Sequence, residues 1–176
     1  MERIANMVLA SSAVIGAVSA LAGAIIAGIG LRTWRRELLG RVEYDLARRL
    51  LKGVFELRNA IRQVRSVWAT EGTDARCERV DRKRGELDAS LLEAEVLWGG
   101  RLQQAKRQLK ECLDILGEKM ALRYEAHEQG LQLTDAEKKE MTAILCGHGR
   151  KDDQFGQKVD AAVRAFEDVL RPHLSR

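Results

Sequence analysis

The most suggestive reactive side chains in this sequence are Cys146 and His148, which are separated by one glycine. A thiol beside an imidazole can ligate a metal ion or act as a nucleophile. A metal site needs three or four ligands, however, and the other candidates, His127 and His173 among them, are distant in the chain. We therefore expect Cys146 to be a small core residue at a helix end, and His148 to lie in a solvent-facing loop.

Two pairs of acidic residues, Glu93 with Glu95 and Asp152 with Asp153, are the other candidates for catalysis. Neighbouring positions on a helix point in different directions, and acidic residues are favoured at helix starts for electrostatic reasons. The sequence contains no Walker loop, dinucleotide-binding fingerprint, nucleophile elbow or His-Glu-x-x-His motif. We predict a protein that is not an enzyme and that uses no metal, no cofactor and no small-molecule substrate.

The element around which the chain is organised is an uncharged run, residues 4–31, with the sequence IANMVLASSAVIGAVSALAGAIIAGIGL. About 20 apolar residues cross the core of a bilayer as a helix, so this run predicts an N-terminal transmembrane helix within residues 1–31. A cleaved signal peptide is one alternative, although its apolar region of about 7–15 residues is much shorter. A buried helix of a soluble protein is the other alternative.

Basic residues next to this run predict its orientation. Arg3 precedes it, whereas six arginines follow it: Arg32, Arg35, Arg36, Arg41, Arg48 and Arg49. Because positive charge is retained on the cytoplasmic side of a membrane, we expect the N-terminus outside and the C-terminal domain in the cytoplasm. Three cysteines without finger-like spacing fit a reducing compartment.

Charge is concentrated beside the predicted span. The whole chain has a net charge of +4, while residues 32–68 hold ten basic and four acidic side chains. This position favours anionic lipid headgroups over nucleic acid as the partner. Trp34 is typical of an aromatic anchor at the membrane interface. The predicted lipid-interface residues are Arg32, Trp34, Arg35, Arg36 and Arg41.

Small side chains recur at every fourth position of the predicted span, at Ser12, Gly16, Ala20, Ala24 and Gly28. A face of small residues lets two helices approach closely in lipid, which predicts a homo-oligomer. A span rich in Ala and Gly also produces such a stripe by chance, so both interpretations stay open. A pore is a further alternative, although the span offers few polar residues beyond its three serines.

Apolar periodicity in the remainder of the chain predicts an all-α fold, with long amphipathic helices in a hairpin or coiled-coil-like bundle. We assign residues 32–70 to a basic juxtamembrane helix whose apolar row includes Leu39, Val42, Leu46, Leu50, Leu57, Ile61, Val64 and Trp68. Its wide apolar face favours a partner helix over the membrane surface. We assign residues 71–130 to a second, possibly bent helix, which from about residue 75 to residue 127 is roughly 80 Å long at 1.5 Å per residue. We expect a bend or break at Gly99-Gly100, because a straight hairpin would overshoot into the membrane.

Residues 131–176 predict two short helices that could cap the hairpin. Thr134 and Glu137 have the spacing of a capping box, and Gly147 is expected to end the first short helix. The second runs from about residue 152 to 170, and Pro172 is expected to mark its end. Its inward residues are predicted to be Phe155, Val159, Ala162, Val163, Phe166 and Leu170.

Three further segments of the sequence are WRRELLG at 34–40, EYDLARRLL at 43–51 and LEAEVLWG at 92–99. Together they resemble a group of uncharacterised bacterial single-pass membrane proteins. The resemblance covers about a third of the chain and implies a bacterial source and the same topology, but no activity. We therefore expect a bacterial inner-membrane protein whose cytoplasmic helices form a tethered, self-associating scaffold or interaction module for an unknown protein partner. The alternative is a membrane-disrupting or pore-forming effector.

Overall fold

The structure is a computed structural model of the 176-residue chain. It describes residues 2–65, 73–150 and 152–175, and the side chains of these residues other than 2–20, 22, 73 and 74. The helices are α1 (Glu2–Val64), α2 (Thr73–Trp98), α3 (Gln103–Glu128), α4 (Asp135–Cys146) and α5 (Gln154–Leu174), with a 3₁₀ turn at Gly99–Leu102. None of the described residues is in a strand, and the predicted all-α class is confirmed.

The chain divides into two compact units, residues 1–42 and residues 43–176. In the first unit, every described side chain from Leu21 to Leu39 is exposed. In the second unit, α1 contributes a continuous buried row that begins at Leu46 and reaches Val64. The predicted apolar row of α1 is therefore wrong at its start, since Leu39 and Val42 are 49% and 45% exposed. Trp68, at the predicted end of that row, lies outside the described residues.

Within the second unit, α1 and α2 run in opposite directions. Arg49 of α1 contacts Glu93 of α2 at 2.8 Å, and Glu56, further along α1, contacts Lys83 at 2.8 Å. Residue numbers therefore rise along α1 as they fall along α2. The wide apolar face of α1 is covered by partner helices over this length, because Leu50, Leu57 and their neighbours are fully buried.

The 3₁₀ turn reverses the chain between α2 and α3. Gly99 has a φ of +58°, a conformation that glycine adopts at little cost and other residues rarely adopt. Lys106 of α3 contacts Glu95 of α2 at 2.7 Å across the turn. The predicted break at Gly99-Gly100 is confirmed. It separates two antiparallel helices, so residues 71–130 do not form a single bent helix.

The last helix, α5, runs antiparallel to α1 and packs on α3. Arg62 of α1 contacts Asp160 of α5 at 2.9 Å, and Glu43, nearer the start of this unit, contacts His173 at 3.2 Å. The six residues predicted to face inward on α5 are all buried. The prediction that this helix caps a hairpin is wrong, because α5 supplies the fourth side of an α1–α2–α3–α5 bundle.

The ends of the two C-terminal helices follow the local sequence with one exception. Thr134 caps α4, since its hydroxyl accepts from the Glu137 N–H at 3.3 Å while the Glu137 carboxylate accepts from the Thr134 N–H at 2.8 Å. Gly147 is the C-cap of α4, as predicted. Pro172 does not end α5, which continues to Leu174. A proline with only two helical residues after it forfeits one backbone hydrogen bond and is tolerated there.

Candidate functional site

The small-residue stripe predicted for the span falls partly outside the described side chains. Ser12, Gly16 and Ala20 lie outside the described side chains. Ala24 and Gly28 are described, and both are exposed. A Cβ added at Gly28 would meet no other described atom within 4 Å. Nowhere in the described residues is a helix both long enough and apolar enough to cross a membrane.

The described part of α1 before the bundle carries large apolar side chains in full contact with solvent. Their exposed fractions lie between 56% and 70%, at Leu21, Ile25, Ile26, Ile29 and Leu31. Four of them lie within an arc of about 140° around the helix, and Leu31 lies outside that arc. A contiguous apolar surface of this kind is unfavourable in water, and the described residues leave it without a cover.

The predicted lipid-interface residues follow this apolar segment directly. Arg32, Arg35, Arg36 and Arg41 are all exposed, and Trp34 is 60% exposed. Long basic side chains and a tryptophan beside an apolar helix can reach headgroup phosphates while their stems cover apolar surface. The structure places these five residues on consecutive turns of one helix.

At the other end of the bundled part of α1, Arg65 is completely buried. Its guanidinium donates to both carboxylate oxygens of Asp153, at 2.6 and 3.1 Å, and to the carbonyl of Ile144 at 2.5 Å. The same group stacks over the Phe155 ring at 4.7 Å. A bidentate pair with additional hydrogen bonds is the geometry in which a buried charge is tolerated. Arg65 therefore joins the end of α1 to the end of α4 and the start of α5.

Asp153 performs a second task as the N-cap of α5, where its carboxylate accepts from the Gly156 N–H at 2.8 Å. Burial by itself would raise the pKa of Asp153. Hydrogen bonds from Arg65 and Gly156, together with the charge of Arg65, outweigh burial and hold that pKa below its usual value. Asp153 is thus ionised at neutral pH, and its acidic neighbour Asp152 is exposed.

The Arg65–Asp153 pair was not predicted from the sequence. One signal was available, because Arg65 follows Ile61 by four residues and Leu57 by eight, which places it on the buried face of α1. A charged residue at such a position must find a partner. The sequence does not reveal that partner, which is 88 residues away.

Beside this pair lies a cleft of about 230 Å³ that includes His148 in its lining. Two of its arginines are paired, since Arg65 binds Asp153 and Arg62 binds Asp160, while a third, Arg150, is exposed in its lining. His148 is exposed in the loop after α4, as expected, and the nearby Cys146 is half-buried against the core. In the described ranges, no three His, Cys, Asp or Glu residues are grouped so that they could hold a metal ion.

At the opposite end of the bundle, Trp98 stacks on His173 with ring centroids 4.6 Å apart. His173 is nearly buried and its Nδ1 lies 3.2 Å from a carboxylate oxygen of Glu43. The Trp98 indole N–H is buried without a hydrogen-bond partner among the described residues. These contacts connect the start of the bundled part of α1, the end of α2 and the end of α5.

Cys112, in the middle of α3, is buried in the core. Burial raises the pKa of its thiol, which therefore stays protonated and unreactive at neutral pH. This residue acts as a small apolar group, as cysteines in protein cores commonly do.

No family model, curated protein or solved structure matches this chain. The resemblance of segments 34–40, 43–51 and 92–99 to bacterial single-pass membrane proteins therefore stays a prediction. Function has to be argued from the residues and their geometry.

Proposed function

We propose that this chain is a single-pass protein of a bacterial inner membrane, with its N-terminus outside and its helical bundle in the cytoplasm. The bundle acts as a tethered, self-associating scaffold or interaction module. The observation that carries the proposal is the uncharged run 4–31, followed at once by Arg32, Trp34, Arg35 and Arg36. A run of this length matches a bilayer core, and the basic cluster matches its cytoplasmic boundary.

The exposure of the described part of this run supports a lipid environment. Leu21, Ile25 and Ile29 have no cover from the described residues and are each more than half exposed. Lipid would cover this stripe and also Leu31, which lies on another side of the helix, whereas a single partner helix would cover the stripe alone. The exposed arginines that follow would contact anionic headgroups, each contributing about 1 kcal/mol near the surface.

The bundle is suited to presenting a surface and less suited to catalysis. In its distal cleft, the charges of Arg62 and Arg65 are already bound to Asp160 and Asp153. Bound charges of this kind position helices, and they are not available to a substrate. We therefore propose a non-enzymatic role in which the helices hold a protein partner beside the membrane.

Self-association of the span follows from the small-residue stripe that includes Gly16 and Ala20. Replacing both with leucine should prevent close helix contact in lipid. Val14→Leu with Val18→Leu also introduces two leucines, but on the opposite face of the helix, and is the control that leaves the stripe intact.

The experiment is fractionation of cells that express the chain with a C-terminal tag, combined with crosslinking in vivo. We expect the chain in membranes after washing at high pH, its tag protected from protease in spheroplasts, and a crosslinked homo-oligomer. The oligomer should be lost in the Gly16→Leu, Ala20→Leu chain and kept in the control.

Recovery of the chain in the soluble fraction would contradict the membrane proposal. An oligomer unchanged by either pair of substitutions would contradict the role of the stripe. Leakage of a trapped dye from vesicles that contain the chain would instead favour the membrane-disrupting alternative.

A further inference from the structure

A second cleft of the bundle, about 340 Å³ in volume, lies between α1 and α2 and belongs entirely to the second unit. This volume is at the lower end of the range of about 300–1,000 Å³ that small-molecule sites occupy. Its lining is polar except for one alanine, and consists of Glu56, Asn59, Ala60 and Gln63 of α1 and Arg79, Arg82 and Lys83 of α2.

The basic side chains of the cleft are gathered on one flank of α2. Successive residues of an α-helix are about 100° apart, so Arg79, Arg82 and Lys83 lie within an arc of about 100°. The acidic neighbours Glu78 and Asp81 lie outside that arc. The flank of α2 that faces the cleft is therefore basic, although the helix as a whole carries charges of both signs.

Arg79 is held in place by a neutral group. Its guanidinium donates to the side-chain carboxamide oxygen of Gln63 at 2.8 Å, which orients the guanidinium without cancelling its charge. Arg65 differs, because its charge is paired with the carboxylate of Asp153. Within the part of the chain that the structure describes, no carboxylate forms an ion pair with Arg79 or Arg82.

The acidic residue in the lining, Glu56, is occupied by lysines. Its carboxylate lies 2.8 Å from the Lys83 ammonium and 3.7 Å from that of Lys52. The hydrogen bond from Lys83 lowers the pKa of Glu56, and the same bond raises the pKa of Lys83, so both groups are charged at neutral pH. Glu56 and Lys83 therefore satisfy each other, and the charges of Arg79 and Arg82 are left for a ligand.

Two arginines beside two carboxamides are a suitable donor set for a phosphoryl group. A guanidinium donates two parallel hydrogen bonds to phosphoryl oxygens, and the side chains of Asn59 and Gln63 can donate further ones. A phosphate monoester carries a charge of about −1.5 to −2 at pH 7. That charge matches the two guanidinium groups of Arg79 and Arg82.

We propose that Arg79 and Arg82, together with Asn59 and Gln63, bind a phosphoryl group in the cleft between α1 and α2. The group belongs to a soluble phosphorylated compound or to a lipid headgroup, since both present the same oxygens. This inference goes beyond the proposed scaffold function, and it concerns binding without any reaction. The bound group would join α1 to α2 and stabilise the folded bundle by mass action.

The test is calorimetric titration of the full chain, in dodecyl maltoside micelles at constant ionic strength, with inorganic pyrophosphate. We expect saturable binding at one site per chain. Arg79→Gln with Arg82→Gln should weaken this binding by about tenfold or more, because two charge-assisted contacts are lost.

The control for this pair is Arg107→Gln with Arg123→Gln, which makes the same change of charge at exposed positions of α3. It should leave the affinity for pyrophosphate unchanged. The absence of saturable binding to the parent chain, or an equal loss of affinity in both pairs, would overturn the proposal.

A variant of unchanged net charge separates a built site from general attraction by a basic surface. Gln63→Ala removes the acceptor that orients Arg79 and one donor to the ligand, so the affinity for pyrophosphate should fall by about 3–10-fold. Gln104→Ala, at an exposed position of α3, should not change it. Equal affinities of the two variants would show attraction by surface charge alone, and would overturn the site. Circular dichroism of each variant verifies that the bundle is folded.

The source of the phosphoryl group is identified by repeating the titration in micelles that contain an anionic lipid. Competition by phosphatidylglycerol, without competition by an equal charge of fatty acid, would assign the group to a lipid headgroup. The absence of competition by phosphatidylglycerol would assign it to a soluble compound. Either result supports the site, whereas equal competition by both lipids would show that charge alone governs binding and would overturn it.

Discussion

Arg35 lies on α1, Arg65 directly follows the last residue of α1, and the two arginines have opposite environments. Arg35 is exposed, as are the described side chains around it, whereas Arg65 has no exposed surface at all. The burial of Arg65 comes from Asp153 and Phe155, which the chain brings to Arg65 from a segment far away in sequence. This difference in environment should appear as a difference in how much each substitution lowers the free energy of unfolding.

The largest effect is expected where the buried charge loses its partner. Asp153→Ala leaves Arg65 buried and removes the cap of α5, so the free energy of unfolding should fall by about 3–5 kcal/mol. Asp152→Ala, at the exposed neighbouring position, should change it by less than about 0.5 kcal/mol. Urea unfolding followed by circular dichroism measures both, and similar values for the two variants would contradict the structural role of the pair.

Replacing a leucine of α1 with alanine should have very different effects on the free energy of unfolding in the two units of the chain. Leu50→Ala removes a fully buried side chain and should cost about 2–5 kcal/mol. Leu39→Ala removes a side chain that is 49% exposed and should leave the unfolding of the bundle within about 0.5 kcal/mol of the parent. A large loss at Leu39 would show that the first unit packs against a surface that the monomer does not contain.

The reversal after α2 depends on the conformation of Gly99. Gly99→Ala forces a side chain into a positive φ, so it should destabilise the bundle by about 1–2 kcal/mol. Gly100→Ala places its Cβ at ordinary contact distance from Gln103, and we expect little change or a small gain. If the two variants unfold at the same urea concentration, the turn does not require its glycine.

Acid should weaken the Arg65 end of the bundle gradually. The pKa of Asp153 is depressed below its ordinary value of 3.8, so its contribution is complete above that value and is lost as the pH falls through the depressed pKa. Asp153→Asn removes this titration. Urea unfolding from pH 6 down to pH 2.5 should therefore show a steeper loss in the parent than in the variant, and parallel curves would contradict the assignment.

The smallest effect is expected for an exposed ion pair. Arg49 and Glu93 are 2.8 Å apart, but their side chains are 59% and 54% exposed. A double-mutant cycle with alanine at both positions should give a coupling of about 0.2–1 kcal/mol. A coupling as large as that expected for Arg65 and Asp153 would remove the contrast between exposed and buried charge.

Local features of the fold were readable from the sequence. The spacing of Thr134 and Glu137 predicted a capping box, and Gly147 predicted the end of α4, because caps depend on neighbouring residues alone. The periodicity that includes Phe155 and Phe166 correctly predicted the buried face of α5. The exposure of Leu39 was not predicted, because periodicity identifies an apolar face without showing whether anything covers it.

The sequence by itself determined where helices form, which faces are apolar and where the chain breaks, since these depend on residues within a few positions of one another. Tertiary structure alone decided that the break at Gly99 is a reversal, that α5 joins the bundle, and that Arg65 meets Asp153. These outcomes bring together residues far apart in the chain: 88 positions separate Arg65 from Asp153, and 130 separate Glu43 from His173. The pairing of such distant groups depends on how whole helices pack, and the local sequence does not encode it.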